Sequence, residues 1–506
     1  MKKNLSIVIL LISLAISQSV FSQTYSFEKG KVPEGWKIDK GVLHISSEKY
    51  KSGSRSLQIK WKQNAVLTIP SPTGISEACR NRNGGMNAWI YNESPTKENL
   101  LFSFRDETGK EVCQLPFLLD FKGWRCIWAK FQGDMNMSSK SNIQSVEIQF
   151  PQHTKKGVTY IDLLEFTSKV SWQNMSDAQY KVNRTDYSLI PDFIGYRNAT
   201  PKVEKVITAE DNQITTITNR LTTWYLGSGQ HSSERWIKMR TENEKTFIRN
   251  GVKAAQKIKI QYNEDHTPQG EPLFPMGAPS IIDGQEAKKF RSINENILLP
   301  LALDYRKNQN DQSLKKALYI YDWFNDQGWA DGSSMGTLCF EKLRSSGYFH
   351  SFFLLKEQLS PEQLKRELQT MNWFTMFGAC YQLPSHAGEV ADNLRALAIP
   401  KLIYALSQND KQEREVALTA FKHYMDNALG IAPGFFGTFK ADFSGYHHRG
   451  SYHSAYYPHA LYAGALIAYL LHDTPYALSE TTLHNLKQGL LTFRFFCAGL
   501  EVPAGT

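Results

Sequence analysis

The sequence predicts a multidomain α+β chain, with an antiparallel β-sandwich or jelly roll at the amino end followed by an all-α domain of paired helices. Three observations predict it. Short runs between Gln23 and Phe166 alternate apolar and polar residues with period two, and turn clusters space them evenly. Beyond Asn174 the period lengthens to that of a helix. A chain of 506 residues that is 41% hydrophobic can fill more than one core, which excludes a disordered tail, a collagen-like repeat or a disulfide-dense miniature.

The strand-forming runs are Ser56–Trp61, Val66–Ile69, Ala88–Tyr91, Leu101–Phe104, Val146–Phe150 and Tyr160–Leu164, each expected to have one solvated face. Lys51–Ser54, Asn83–Gly85 and Glu107–Lys110 supply the turns between them. From Asn174 to about Lys288 the composition is mixed, and Pro268, Pro272, Pro275 and Pro279 mark loops. Three helices then stand out. Ser360 caps the first, Pro361 opens it and Gln363 completes a capping box, with Leu364, Leu368 and Met371 on one face. Val416, Ala420, Tyr424 and Ala428 lie four apart in the second, which Gly430 and Pro433 stop. Leu483, Leu486, Leu490 and Phe493 form the stripe of the third. Periodicity alone leaves a helical bundle and an α/α toroid both open. The expected division is residues 1–22, 23–172 for the sandwich, 173–235 as a connection and 236–506 for the helical domain.

Met1–Lys3 and the apolar run Leu5–Ile12 read as a cleaved export signal ending at Ser22, and the run is too short for a membrane span. Its removal lowers the formal charge of +9 by two, to +7. A basic, exported chain without a Lys/Arg tract fits an acidic polysaccharide better than nucleic acid. Export permits disulfides, with Cys113–Cys126 the pair to consider, but six scattered cysteines without C-x-x-C spacing predict buried free thiols and no zinc site.

The chemistry concentrates in Phe435–His459. Four of the chain's 13 histidines, His447, His448, His453 and His459, fall within this stretch together with Tyr446, Tyr452, Tyr456 and Tyr457. It is a glycine-containing loop between two helices, where functional groups gather. A metal site is the competing reading, although Asp442 is the only acid in the stretch and no helical His-x-x-x-His frame is present.

Asp442, His448, Gly450–Tyr452, Tyr456 and Tyr469–Pro475 together resemble the catalytic region of polysaccharide lyase family 8, most closely the chondroitin sulfate ABC lyases. Gly53–Trp61, Trp89–Glu93, Leu119–Arg125 and Tyr160–Asp162 resemble that family's amino-terminal jelly roll. The collinear set covers essentially the whole chain after the export signal.

The resemblance implies cleavage of chondroitin and dermatan sulfates by β-elimination on an incomplete α/α toroid, by a secreted or periplasmic, monomeric enzyme that needs no cofactor for its chemistry. It implies His448 as base or carboxylate partner and Tyr456 as base, acid or both. Removing the C5 proton of a uronate requires neutralisation of the adjacent carboxylate, a base, and an acid for the departing O4. A tyrosine phenol, ordinarily near pKa ~10, becomes a base beside a cation that favours phenolate. Arg449 and His447 are available.

The spacing from His448 to Tyr456 departs from the family pattern by one residue, so Tyr457, Tyr452 and His447 are alternatives. Where the family places an Asn or His before a Gly-Tyr segment, Lys342–His350 offers Arg344 and, later, His350. The family's catalytic Arg and Glu lie beyond the segment resembling Gly499–Thr506, so the chain is expected to be the front portion of a longer lyase, without its carboxy-terminal β-domains and with turnover in question.

The remaining substrate-contact expectations are His453, and Trp329 and Trp373 as rings for sugar stacking, chosen from Trp323, Trp329, Trp373, Phe374 and Phe436. Glu28 and Asp162 resemble positions that hold a structural Ca²⁺ or Na⁺ in related sugar-binding sandwiches. An α/α-toroid glycoside hydrolase, with Glu389 and Asp392 as its carboxylates, and a non-catalytic glycosaminoglycan-binding fragment are the alternative functions.

Overall fold

The computed structural model describes residues 24–170, 177–182, 193–228, 234–262, 267–270, 272–273, 288–335 and 344–497. The chain divides into two compact units, residues 1–187 with 279–282, and the remainder.

The amino-terminal unit is a sandwich of two five-stranded antiparallel sheets. One has the order β1 (Lys37–Ile38), β4 (Val66–Pro70), β9 (Ser145–Gln149), β6 (Asn99–Arg105), β7 (Glu111–Leu118). The other runs β2 (Gly41–Ser46), β3 (Ser56–Lys62), β10 (Lys156–Thr167), β5 (Gly85–Asn92), β8 (Gly123–Lys130). Alternation builds the core, because every second side chain of a strand faces the same way. Leu57, Ile59 and Trp61, Met86, Ala88 and Ile90, and Ile127 and Ala129 meet Leu67 and Ile69, Phe102 and Phe104, Leu115 and Phe117, and Val146 and Ile148 of the opposite sheet.

All six predicted runs lie wholly or mainly within strands. The expectation of a solvated outer face fails for the second sheet, whose β5 and β8 are buried at every residue. Its outer face is aromatic. Trp89 meets Trp128 edge to face at 6.3 Å, and Tyr91 meets Trp124 and Tyr160 at 5.3 and 5.7 Å. Lys51 and Lys49 lay their ammonium groups over Trp89 and Tyr91. The suggested disulfide does not form: Cys113 sits on β7 of one sheet and Cys126 on β8 of the other, both as buried free thiols.

The described residues of the second unit are helical apart from short strand pairs and connecting loops. Its helices include α1 (Asp211–Leu226), α2 (Arg235–Ala255), α3 (Leu299–Asn308), α4 (Asp311–Asp326), α5 (Ser346–Leu355), α6 (Pro361–Thr375), α7 (Ala391–Leu406), α8 (Lys411–Ala428), α9 (Tyr457–Leu471) and α10 (Glu480–Phe495). The start of α6 is as its residues dictate: Ser360 Oγ accepts from Gln363 N at 3.2 Å, and Gln363 Oε1 accepts from Ser360 N at 3.2 Å. The face of α6 differs from expectation, since Glu367 is fully buried on it, bound by Tyr348 and by Arg366, which also reaches Asp322 of α4 at 2.8 Å. Burial pushes the Glu367 carboxyl up, with Arg366 and Tyr348 opposing. The stripe on α10 also splits: Leu486 is buried with Asn485 and Gly489, whereas Leu483 and Leu490 are exposed.

Removing the Ser360 hydroxyl strands a helix amino-terminal N–H, so Ser360→Ala should cost the helical unit about 1 kcal/mol. A denaturant midpoint unchanged from the parent chain would show that the cap contributes nothing.

Candidate functional site

The histidine-dense stretch folds as a small hairpin. Tyr446–His447 pairs with Gly450–Ser451, so His448 and Arg449 form a two-residue turn. Both have left-handed backbone, with φ of 50° and 65°. That is the geometry a tight hairpin requires, usually met by Asn-Gly, and here two bulky side chains adopt it. Non-glycine residues at positive φ cost free energy and gather at functional sites. The consequence is that His448 and Arg449 stand exposed at the tip.

Tyr456, immediately before α9, approaches this tip. Its hydroxyl lies 3.3 Å from His448 Nε2, a hydrogen bond whose donor depends on the imidazole tautomer. His447 is buried and its ring stacks on that of Tyr456, 3.9 Å between centroids with 25° between planes. Exposed Tyr452 closes the cluster edge-on, 5.2 Å from Tyr456 and 5.9 Å from His448.

Helix α7 presents the charges. His447 Nε2 lies 3.4 Å from Asp392 Oδ2, within ion-pair range though not aligned as a hydrogen bond. Arg395, one turn on, binds Asp392 Oδ1 through Nε at 2.8 Å, and its guanidinium is 6.0 Å from the Tyr456 ring centre. Partial burial works against the Asp392 carboxylate, but His447 and Arg395 outweigh it and hold its pKa below the ordinary range. From the sequence, Asp392 stands out only as a hydrolase acid and Arg395 not at all. The signal available was an Asp and an Arg three apart, hence on one face, at the start of a helix.

The other predicted residues separate clearly. Tyr457 is buried and donates to the Phe443 carbonyl at 2.6 Å, wedged where a side chain on Gly445 or Gly489 would strike it. Burial, reinforced by Asp442, raises its pKa well above that of a free phenol. It is therefore a packing residue and not an alternative to Tyr456. His453 is 1% exposed and stacks on Phe496 at 3.6 Å, and burial lowers its pKa against the pull of Asp442. Asp442 turns to its own loop, accepting from Ser444 N at 3.0 Å.

Trp329 and Trp373 are corrected outright. They are 0% and 1% exposed, so neither ring can lie on a sugar. Trp329 stacks on Phe374 at 3.5 Å and 9°, and Trp373 Nε1 donates to the Ser333 carbonyl at 2.7 Å. Large rings on amphipathic helices fill the core, because each removes so much apolar surface from water. Arg344 lies just before α5, where Asn294 binds its carbonyl. His350, on α5, is bound through Nδ1 by the Tyr225 hydroxyl and ringed by Trp224 and Tyr225. These contacts place it among helix residues outside the His448–Tyr456 cluster.

Glu28 and Asp162 are engaged by main chain. Asp162 accepts from Lys51 N, Ser52 N and Leu163 N, and Glu28 from Ser54 N, Ser54 Oγ and Arg55 N. They pin the 51–55 turn to the sandwich. Burial prevails over the three amides and pushes the Asp162 carboxyl up to about 8. Among the described residues no group of three or more His, Cys, Asp or Glu gathers as a metal site. The hydrolase pair is likewise spoken for: Tyr424 and Asn393 bind the Glu389 carboxylate, while His447 and Arg395 hold Asp392.

Comparison with known proteins matches residues 21–182 to a family model described as "Lyase, N terminal" and residues 200–506 to one described as "Lyase, catalytic". The chain is 25% identical to a chondroitin sulfate ABC exolyase of Bacteroides thetaiotaomicron, over 95% of this chain and 48% of the relative. It is 24% identical to a chondroitin sulfate ABC endolyase of Proteus vulgaris, over 93% of this chain and 50% of that one. The chain thus spans about half the length of the relatives it matches. Among solved structures, a Paenibacillus xanthan lyase aligns over 56% of this chain and 25% of its own, with 13% identity and a TM-score of 0.43. No described helix is long and apolar enough to cross a membrane.

Two measurements check these placements. Burial lowers the His350 pKa from 6.5 to about 4, so in the fold the ring stays neutral until well below its unfolded pKa. Its stabilising effect is full above pH 6.5 and lost as pH falls through about 4, so His350→Phe should flatten the acid limb of the stability curve there. An acid limb identical to the parent's would assign the loss to other groups. Arg449→Gly should raise stability by roughly 0.5–1 kcal/mol by relieving the left-handed turn; a lower melting temperature would contradict that turn geometry.

Proposed function

The chain belongs to polysaccharide lyase family 8, the family of the chondroitin sulfate ABC lyases, and from this premise we propose that it cleaves chondroitin and dermatan sulfates by β-elimination at the uronic acid. The observation that carries the reading is the 3.3 Å approach of His448 Nε2 to the Tyr456 hydroxyl on an exposed tip, with Arg395 beside the tyrosine ring.

In this reading Tyr456 takes the C5 proton of the uronate. The C5–H electron pair forms the C4=C5 double bond as the C4–O bond breaks, and the departing oxygen receives a proton from the tyrosine or from His448. Withdrawing the proton needs the uronate carboxylate neutralised, and His448, Arg449 and Arg395 are the donors and cations at hand. Tyr452, exposed beside both rings, would bear on the sugar. His447, clamped between Tyr456 and Asp392, orients the phenol without needing to meet substrate.

The two sheets are read here as the family's jelly roll and the helices as its incomplete toroid, in an exported monomer cleared of residues 1–22. The hydrolase alternative is less well supported, because both of its carboxylates are already bound to side chains of the fold.

Incubation with chondroitin sulfate should give an ultraviolet-absorbing unsaturated uronate. Tyr456→Phe and His448→Ala should each lower the rate by roughly 10²-fold or more. New reducing ends without the absorbance would identify a hydrolase, and binding without either product a carbohydrate-binding fragment.

A further inference from the structure

Helices α2 and α3 enclose a cleft of about 520 Å³ that includes none of the His448–Tyr456 cluster. They can approach closely because of Gly251: a side chain there would come within 2.2 Å of Pro300 Cβ. Buried Ile248 and half-buried Val252 contribute apolar surface to the lining.

Lys245, Arg249 and Lys253 lie four apart on α2, so they share one side of the helix and line the cleft over about 12 Å. Arg249 and Lys253 are exposed and have no hydrogen-bond or ion-pair partner among the described residues. Two acids also line the cleft, and both are engaged. Glu244 pairs with Lys307, and Asp304 accepts from Asn308 and Asn310 at 2.7 Å and from Ser313 at 2.5 Å. Lys245 pairs with Glu242 at 2.9 Å, and Asp304 keeps its negative charge because its partners are neutral, so the excess positive charge of the cleft comes from Arg249 and Lys253, above apolar surface and in a chain of net charge +9.

We infer that this cleft is a second binding site for a sulfated glycosaminoglycan, one that holds the polymer without cleaving it. A linear sugar offers the matching chemistry: apolar C–H faces for Ile248 and Val252, and regularly repeated sulfate and carboxylate groups for the row of cations. The choice of a glycosaminoglycan over other polyanions rests on the lyase reading above, whereas the anion-binding character rests on the cleft alone.

The test is titration of fluorescently labelled chondroitin sulfate polymer into the full chain carrying Tyr456→Phe, which keeps the ligand intact. Adding Arg249→Ala with Lys253→Ala should weaken binding at least fivefold at physiological salt and make it less salt-dependent. The charge-preserving pair Arg249→Lys with Lys253→Arg should retain most of the affinity, which separates loss of charge from loss of fold. Affinity unaltered by the alanine pair, or no binding by the parent, overturns the inference. Equal competition from a single-stranded oligonucleotide of matched charge overturns the assignment to a glycosaminoglycan. Failure of the lyase reading shows separately, as absence of the unsaturated product from the chain with Tyr456 intact.

Discussion

One buried imidazole holds the candidate site together. His447 stacks on Tyr456, touches the His448 ring edge-on at 4.1 Å and faces Asp392 on α7, so three separate elements meet at one side chain. The hairpin it belongs to is only two residues long on each side, and a ladder that short is not stable by itself. What keeps His448 and Arg449 in a left-handed turn is the surrounding packing, with Tyr452 N bound to the Gly445 carbonyl and Tyr457 locked beneath the loop. The exposed groups are held in place by buried ones.

Carboxylates bound within the fold recur elsewhere in the chain. On the sandwich, Asp162 and Glu28 spend their oxygens on main-chain amides of the 51–55 turn. In the helical unit, Tyr262, Gln363 and Arg366 converge on Asp322, and Arg366 and Tyr348 on Glu367. A buried carboxylate without such partners would cost several kcal/mol, which is why residues that look reactive in a sequence are so often already bound within the fold. Glu389 is a case in point: its two oxygens serve Asn393, Tyr424 and the Val390 amide.

Much of the architecture was legible beforehand. Period-two runs marked strands because alternate side chains must enter the core, and Ser360-Pro361-x-Gln363 marked a helix start because those groups satisfy orphan N–H donors. The density of His and Tyr between 446 and 457 pointed to the loop where His448 and Tyr456 do come together. Strands β1, β2, β7 and β8 escaped the pattern reading. In β8 the outward positions carry Trp124, Cys126 and Trp128, where a solvated strand would carry polar residues, so the run does not alternate.

By itself the sequence determined the two kinds of structure, the order in which they follow, and the stretch in which the candidate chemistry sits, because all three depend on local periodicity and residue type. Tertiary structure alone decided which of four neighbouring aromatic side chains is presented: Tyr456 beside His448, with Tyr457 and His453 turned inward and His447 clamped below. It also recruited Arg395 and Asp392 from more than fifty residues away and buried Trp329 and Trp373. Those outcomes depend on which surfaces pack together, and adjacent side chains in a turn point in directions that only their distant neighbours can select.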